Sequence, residues 1–509
     1  MDRRDFLKIA TAAPLAAAAC SSVAQDFLSD FELDEATVSS LQAGMQSGKW
    51  SARSITQLYI DRINKLNRSG PDLEAIIEVS PEALKIAEGL DAERKSGQSR
   101  GLMHGIPVLL KDNINTLAPL TTTAGSLALM GCVPPQEAVI AKRLRDAGAI
   151  ILGKANMSEW ANFRSSRSTS GWSARGGQCR NPYVLNRSPF GSSSGSAVAA
   201  AANLCAVTIG TETDGSIVSP AAVCGVVGLK PTVGTVSTAG IIPVAHSQDV
   251  PGPICRSVAD AAIVLSVLSG LDYASSLKQD GLKKARIGVV RDRMIADRQI
   301  EHLMNSAFDA MKAQGAQLID IDGFGKENPP EFEVLLYEFK ADLNAYFASL
   351  DGRYRELSLK KLIEFNEQNR DAELASFGQE IFQEAEAKGP LTDAAYLKAL
   401  ESCRRISRTD GIDAAIEKHK VDAFVAPTCG TASVINPRNG DVYIGNTASL
   451  PAIAGYPHIT VPVGFSRELP VGISFFGVAH SESVLLRLAF AFEQATKLRR
   501  KPRFLPMWS

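Results

Sequence analysis

The chain has almost no excess charge of either sign: 54 Lys and Arg stand against 55 Asp and Glu over 509 residues, a net charge of −1. No general basic field exists to attract a phosphate backbone, which argues against nucleic acid as a partner. Histidine is scarce as well. The six, at 104, 246, 302, 419, 458 and 480, form neither an HExxH motif nor an i, i+4 pair, so a zinc hydrolase lacks its ligand set and no metal or cofactor is expected. The eight cysteines include no CxxC pair, and Cys205 and Cys224 sit in apolar context. Buried free thiols are therefore expected at 132, 179, 205, 224, 255, 403 and 429, with no disulfide framework. No internal repeat and no interdomain linker stand out.

The N-terminus has a distinct layout. MDRRDFLKIATAAPLAAAAC places Arg3 and Arg4 ahead of Phe6, Leu7 and Lys8, then an apolar run ending at Cys20, which predicts an export signal over residues 1–20. The RRDFLK string resembles a twin-arginine signal, which sends a protein out already folded. Ile9 to Ala19 is too short to cross a bilayer, which takes roughly 20 residues. Ala17 to Cys20 resembles a lipoprotein cleavage box, with alanine where that box usually has leucine. Two fates are open: a lipidated Cys20 that attaches the chain to a membrane, or plain secretion after a cut near residue 19. Both make the mature protein exported and periplasmic.

Beyond the signal, helix and strand patterns alternate. Apolar spacing predicts helices over 36–47, 51–67 and 81–95, with Ser51 and Ser80 as caps and Pro81 at a first helical position. IPVLL (106–110) reads as a strand ending at Lys111; a helix over 137–147, the strand AIIL (149–152), a helix over 196–202 and the strand CAVTIG (205–210) follow. A helix capped by Ser257 runs to 268, and strands at 285–290 and 316–321 flank a helix over 298–313. Helical patterns fill 331–348, 355–385 and 392–419; strands at 421–427, 458–463 and 471–477 precede a closing helix over 481–496. This alternation predicts an α/β fold: a large mixed, mostly parallel twisted sheet covered by helices on both faces.

Two stretches carry chemistry. Lys111 lies in HGIPVLLKDNIN (104–115), and a run of small residues from Ser188 to Thr232 puts two serine sites, Ser192 to Ser194 and Ser216, in glycine-flanked turns around one apolar segment. Small residues let backbone approach backbone, and glycine permits the positive dihedrals of tight turns. A Gly/Ser linker does not alternate with apolar segments in this way. A lysine with paired serines can make a hydrolase without histidine. An ordinary lysine titrates near 10.4, so a neutral base near pH 7 requires about 4 kcal/mol of differential destabilisation of the cation. Val108, Leu109 and Leu110 are apolar walls suited to supply it.

HGIPVLLKDN (104–113), GSSSGSA (191–197), GTETDGSIVSPAAVCGVVGLKPT (210–232) and SVAD (257–260) fall in the order and spacing of the amidase signature hydrolases, and the chain resembles that family from about residue 33 to about 500. The resemblance implies the amidase signature fold as a single domain over 30–509, with a helical substrate-cleft insert around 331–420. It makes Ser216 the nucleophile, Ser192 a bridging serine on a cis peptide bond, and Lys111 the base. It gives the oxyanion hole to the backbone N–H groups of Thr213, Asp214, Gly215 and Ser216. Within the family, NMSEWANFR (156–164), GWSARGGQCRNPY (171–183), GTETDGSIV (210–218) and LLYEFKADLNAYF (335–347) are most similar to the bacterial peptide amidase branch, which removes ammonia from C-terminally amidated peptides. Glu212 and Asp214, where most members have aspartate and glycine, belong to the look of that branch. Asp214 is expected either to hydrogen-bond the NH2 of a primary carboxamide or merely to cap the turn, and Ser193 is placed with it as a substrate contact. The expected partner is a peptide or small amide substrate.

Other readings have less support in the residues. GSSSG (191–195) also fits the G-x-S-x-G elbow, with Ser193 as nucleophile and His246 or His458 as its partner, but NRSPF (186–190) is not the strand that elbow needs. Ser275 with Lys278 and Ser358 with Lys361 match S-x-x-K, yet no K-T-G follows. GAIILGKA (148–155) nearly spells a phosphate loop, but its interior is apolar and Ala155 replaces the Ser or Thr; it reads as strand and turn. His104 is expected to order the loop before Lys111. Tyr337, Phe339, Phe347, Phe365 and Phe377 either wall a cleft for an extended peptide or fill a core, the commoner fate of aromatics at helical spacing. Two functional alternatives stand: an amidase for other small primary amides, and a non-catalytic peptide-binding protein on the same fold, which would leave Lys111, Ser192 and Ser216 without a purpose.

Overall fold

A computed structural model describes residues 31–325 and 327–507. The export signal expected over 1–20, with Cys20, lies outside them. In chain order the strands are β1 (Ile76–Val79), β2 (Pro107–Lys111), β3 (Ile150–Ala155), β4 (Trp172–Ser173), β5 (Gly177–Gln178), β6 (Val207–Glu212) and β7 (Val227–Lys230). There follow β8 (Val250–Cys255), β9 (Arg286–Val290), β10 (Gln317–Ile321), β11 (Ala423–Pro427), β12 (His458–Ser466) and β13 (Leu469–Phe476). β4 and β5 pair alone; the other eleven form one sheet in the order β1-β3-β2-β6-β8-β7-β12-β13-β11-β9-β10.

The sheet is mixed, as expected, but parallel pairs do not dominate it. Four pairings are parallel, β2 with β3 and β6, and β9 with β10 and β11. Six are antiparallel: β1–β3, β6–β8, β7–β8, β7–β12, β12–β13 and β11–β13. The difference comes from the centre, where β7 and β8 carry no strand signature in sequence. β8 is VPGPIC, and prolines cannot donate to a ladder. Pro251 and Pro253 are two residues apart, so alternation leaves only one edge of β8 short of donors, and β7 meets β8 only beyond them, at Ile254 and Cys255.

β2, β3, β6, β7, β8 and β11 are buried at every residue. Successive side chains of a strand point to opposite faces, so both faces of this sheet are covered. The helix Val258–Ser269 packs on β7 and β8, Arg298–Ala313 on β12, and Glu482–Thr496 on β12 and β13. Helix Ser194–Ala201, SGSAVAAA, has no exposed residue and packs against β2, β3, β6 and β8. Its small side chains allow that approach: a Cβ on Gly195 would lie 2.3 Å from the Ala75 carbonyl oxygen and 2.4 Å from that of Asn156.

The expected helical region is present as Glu331–Ala348, Leu359–Gln368, Arg370–Glu373, Glu380–Glu386, Ala394–Arg404 and Asp413–His419. Phe339 and Phe347 pack with Trp160, Phe163 and Phe382 in a core separate from that of the sheet. Tyr337 and Phe377 are also buried, so most of the aromatic stripe is core; Phe365 is half-buried. All seven described cysteines are buried thiols.

Candidate active site

Lys111 is the last residue of β2, and the parallel neighbour β6 carries Thr211 beside it. The Lys111 Nζ donates to Thr211 Oγ1 (2.8 Å), to the Thr211 carbonyl (3.1 Å) and to Ser192 Oγ (2.7 Å). It is fully buried. Burial pushes its pKa from 10.5 down to about 7, while the charges of Asp249 and Glu212 pull it back upward. That fall corresponds to roughly 5 kcal/mol of differential penalty on the cation.

Ser192 follows the cis Gly191–Ser192 peptide, in line with the expectation, and precedes helix Ser194–Ala201. Its carbonyl accepts the Ser158 N–H at 3.0 Å, and the next N–H, that of Ser193, donates to the Ser216 carbonyl at 3.1 Å. The two serine loops are thereby tied to each other. The Ser193 side chain corrects the expectation of a substrate contact. It is fully buried; its hydroxyl donates to the Thr211 carbonyl (3.0 Å) and accepts the Thr211 N–H (3.2 Å). It is a strut between the helix entry and β6, which also removes it as the nucleophile of an elbow.

Ser216 lies on the turn between β6 and the helix Val218–Val223. Gly215 takes φ +74° there, a conformation that glycine adopts without strain. Glu212 fixes the turn: its Oε2 accepts the N–H groups of Ile217 (2.7 Å) and Val218 (3.0 Å). Behind it, buried Lys230 offers a compensating charge, its own pKa pushed down to about 8 by burial. Among the described residues no acceptor takes the N–H of Thr213, Asp214, Gly215 or Ser216. The turn that carries Ser216 therefore keeps four backbone donors without a partner among the described residues.

That turn forms one wall of a cleft of about 830 Å3, counting its open mouth, which also meets Gly191, Phe163, Leu335, Cys429, Tyr443 and Asn446. Thr213, Ala161 and Val244 are shared with an adjoining recess that reaches Asn113, Thr211, His246 and Asp249. Asp249 is a site residue that the sequence did not signal. It accepts from Thr213 Oγ1 (2.6 Å) and from the N–H groups of Val244 (2.8 Å) and Ala245 (3.0 Å). Burial raises its pKa to about 6.

Asp214 also lines the cleft, and its Oδ2 accepts from Ser449 Oγ at 2.7 Å. Its Oδ1 is buried with no hydrogen-bond partner among the described residues. Glu331, at the start of helix Glu331–Ala348, is pushed well above the carboxylate range by burial and by the charge of Asp214. Gln248 Nε2 links this pair to the Ser216 turn, donating to Glu331 Oε1 (2.7 Å) and to the Thr213 carbonyl (3.2 Å).

His246, Glu338 and Asp342 have ligand atoms within 4.8 Å of one another, the one such grouping among the described residues. Its oxygens are already in use. Asp342 Oδ2 accepts the His246 N–H (2.8 Å) and faces its Nδ1 (2.9 Å); Glu338 accepts from Tyr396 Oη (2.8 Å) and the Ser247 N–H (3.0 Å). The hydrogen bond that Asp342 accepts from the His246 ring raises the pKa of His246, and the group clasps the loop to the helix.

The Amidase family profile matches residues 54–486. A solved structure of native peptide amidase from Stenotrophomonas maltophilia is similar with a TM-score of 0.90 and 49% identity, covering 93% of this chain and 100% of that one. A peptide amidase in complex with the competitive inhibitor chymostatin matches with a TM-score of 0.91, 49% identity and the same coverage. A probable amidase of Arabidopsis thaliana is 41% identical over 499 residues, 94% of this chain and 93% of that protein. With the profile spanning the sheet and both serine loops, and relatives aligned along nearly their whole length, the chain belongs to the amidase family and is an amidase hydrolase.

Proposed function

We propose that the chain hydrolyses the C-terminal carboxamide of peptides to the free acid and ammonia, with Ser216 as nucleophile, Ser192 as proton bridge and Lys111 as base. The observation that carries this reading is a fully buried lysine, pushed down to about 7, at 2.7 Å from Ser192. Its neutral amine keeps two N–H donors for Thr211 and turns its lone pair to the Ser192 hydroxyl. Lys111 takes the Ser192 proton as Ser192 takes that of Ser216, and the Ser216 Oγ bonds to the carboxamide carbon. The oxyanion accepts from the free N–H groups of residues 213–216. The relay then runs backwards, the proton reaches the leaving nitrogen, the C–N bond breaks and ammonia departs. Water repeats the attack on the ester, yielding the peptide carboxylate and restoring Ser216.

Asp214 supports the choice of a primary carboxamide: an NH2 entering the cleft meets a carboxylate acceptor beside the nucleophile. Asp214→Asn is expected to reduce the preference for amide over ester substrates about tenfold, measured as a ratio of kcat/KM; an unchanged ratio removes this role. The likeness at 49% identity to a peptide amidase that binds chymostatin supports a peptide as substrate over other small amides. A serine-directed fluorophosphonate tests the mechanism. Labelling of the wild type that vanishes in Ser216→Ala is expected, and a folded wild type that takes no label would leave the non-catalytic alternative.

A further inference from the structure

The mouth of the cleft carries large apolar side chains in solvent. Val442, Tyr443 and Ile444 are consecutive and 62%, 50% and 55% exposed, and Phe332 is 47% exposed. Single exposed apolar residues are ordinary on a protein surface; three in sequence beside a reactive serine are a patch. The patch is continuous with the site. Tyr443 and its neighbours Gly445 and Asn446 line the same cleft as Ser216 and Asp214. Phe332 stands 6.0 Å from the ring of Phe163, another cleft residue, and one helical turn before Leu335, which lines it too. The cleft thus has one apolar edge at Tyr443, flanked by the exposed Val442 and Ile444, and one at Phe163 and Leu335, flanked by the exposed Phe332.

The first edge is held rigidly. Tyr443 Oη bonds with Ser170 Oγ (3.0 Å) and Asp441 Oδ2 (3.2 Å), and the Asp441 Oδ2 accepts the Ser170 N–H at 3.0 Å. The Tyr443 ring packs 4.6 Å from Phe190, two residues before Ser192. The Gly430 N–H donates to the Ile444 carbonyl at 2.7 Å. These bonds hold the backbone on which Val442 and Ile444 stand, with both side chains in solvent. A fixed apolar surface of this kind meets a ligand at low ordering cost.

We infer that the edges formed by Val442, Tyr443, Ile444 and Phe332 bind apolar side chains one to two residues upstream of the terminal carboxamide, so that the preferred substrates are amidated peptides of about three or more residues with bulky apolar side chains at those positions. This rests on hydrolysis at Ser216. A carboxamide placed at the nucleophile leaves the rest of the chain no path except the mouth, where it passes these edges. A free amino acid amide reaches neither, and so gains nothing from them.

The test compares kcat/KM for leucine amide, for a tripeptide amide with leucine or phenylalanine at both upstream positions, and for the same tripeptide with serine there. The wild type is expected to favour the apolar tripeptide over the other two. In Val442→Ser/Ile444→Ser, and separately in Phe332→Ser, the ratio of the apolar tripeptide to leucine amide falls about tenfold. Both substrates are measured on one preparation, so any unfolded fraction cancels. A ratio unchanged in both variants overturns the proposal. So does vesicle co-sedimentation of the wild type that the variants lose while the ratio holds, since the patch then faces lipid. Ammonia release without dependence on upstream residues removes this proposal alone; no release from any amide by folded protein removes the hydrolytic reading beneath it.

Discussion

Lys111 ties function to stability at a single side chain. Burial depresses its folded pKa to about 7 from 10.5, so the neutral form that the proposed relay uses as its base fills as pH rises through 7. The expected kcat/KM profile climbs on the acid side with an apparent pKa near 7 and then flattens; a flat profile between pH 6 and 8 contradicts a lysine base. The same shift sets the sign of the stability effect. Below about 7 both states are protonated and the burial cost is full; between 7 and 10.5 the unfolded chain binds the extra proton, so stability rises with pH; above 10.5 the cost is gone. Lys111→Met is expected to lower kcat by roughly 10²–10⁴-fold. It is also expected to remove that rise, so urea unfolding from pH 7 to 10 separates the two proteins. Lys111 and Ser216 are legible in sequence because each sits in a local motif. Asp249, Gln248 and Glu331 are not: each reaches the site from a loop or helix entry whose neighbours show no periodic signal. Ser193 shows the reverse error, since a motif gives identity but not the direction in which a side chain points.

The turn from Glu212 to Val218 acts as one element. A single carboxylate oxygen accepts two buried N–H groups, and Glu212→Ala leaves both unpaired and removes the largest of the three carboxylate charges that face Lys230, leaving those of Glu482 and Asp214. The expected loss is about 2–4 kcal/mol, read by denaturant unfolding, with Glu212→Gln restoring most of it because an amide oxygen still accepts. Gly195→Ala tests the other element. Its Cβ would press on backbone oxygens of Ala75 and Asn156, which cannot swing away, so helix Ser194–Ala201 must shift and carry Ser192 with it. A stability loss of about 1–3 kcal/mol with a fall in kcat is expected; wild-type kcat would contradict the close packing. Elements with strong periodicity are readable: the helix expected over 298–313 is Arg298–Ala313, and Ser51 and Ser257 cap as expected by accepting the N–H groups of Ser54 and Asp260. The helix expected from Pro81 starts instead at Ala83, after a turn. β7 and β8 are unreadable because glycine and proline mask strands whose pairing only the sheet supplies.

At the scale of the whole molecule, the sheet order brings β2 and β6 side by side, which sets Lys111 next to Thr211, while the serine loops close over their ends. Sequence alternation conveys the α/β class but not the direction of each strand, since buried parallel and antiparallel strands are equally apolar here. For residues 1–20 we propose removal on export; the intact mass of periplasmic protein is expected to lack them, and a full-length mass there would contradict it. The central claim, a peptide amidase with Ser216 as nucleophile, is tested most directly by ammonia release from a short C-terminally amidated peptide, beside the same peptide with only an internal amide. Release from the terminal amide alone, lost in Ser216→Ala, is the predicted result. Release that persists in Ser216→Ala, or none from folded wild type, would contradict it.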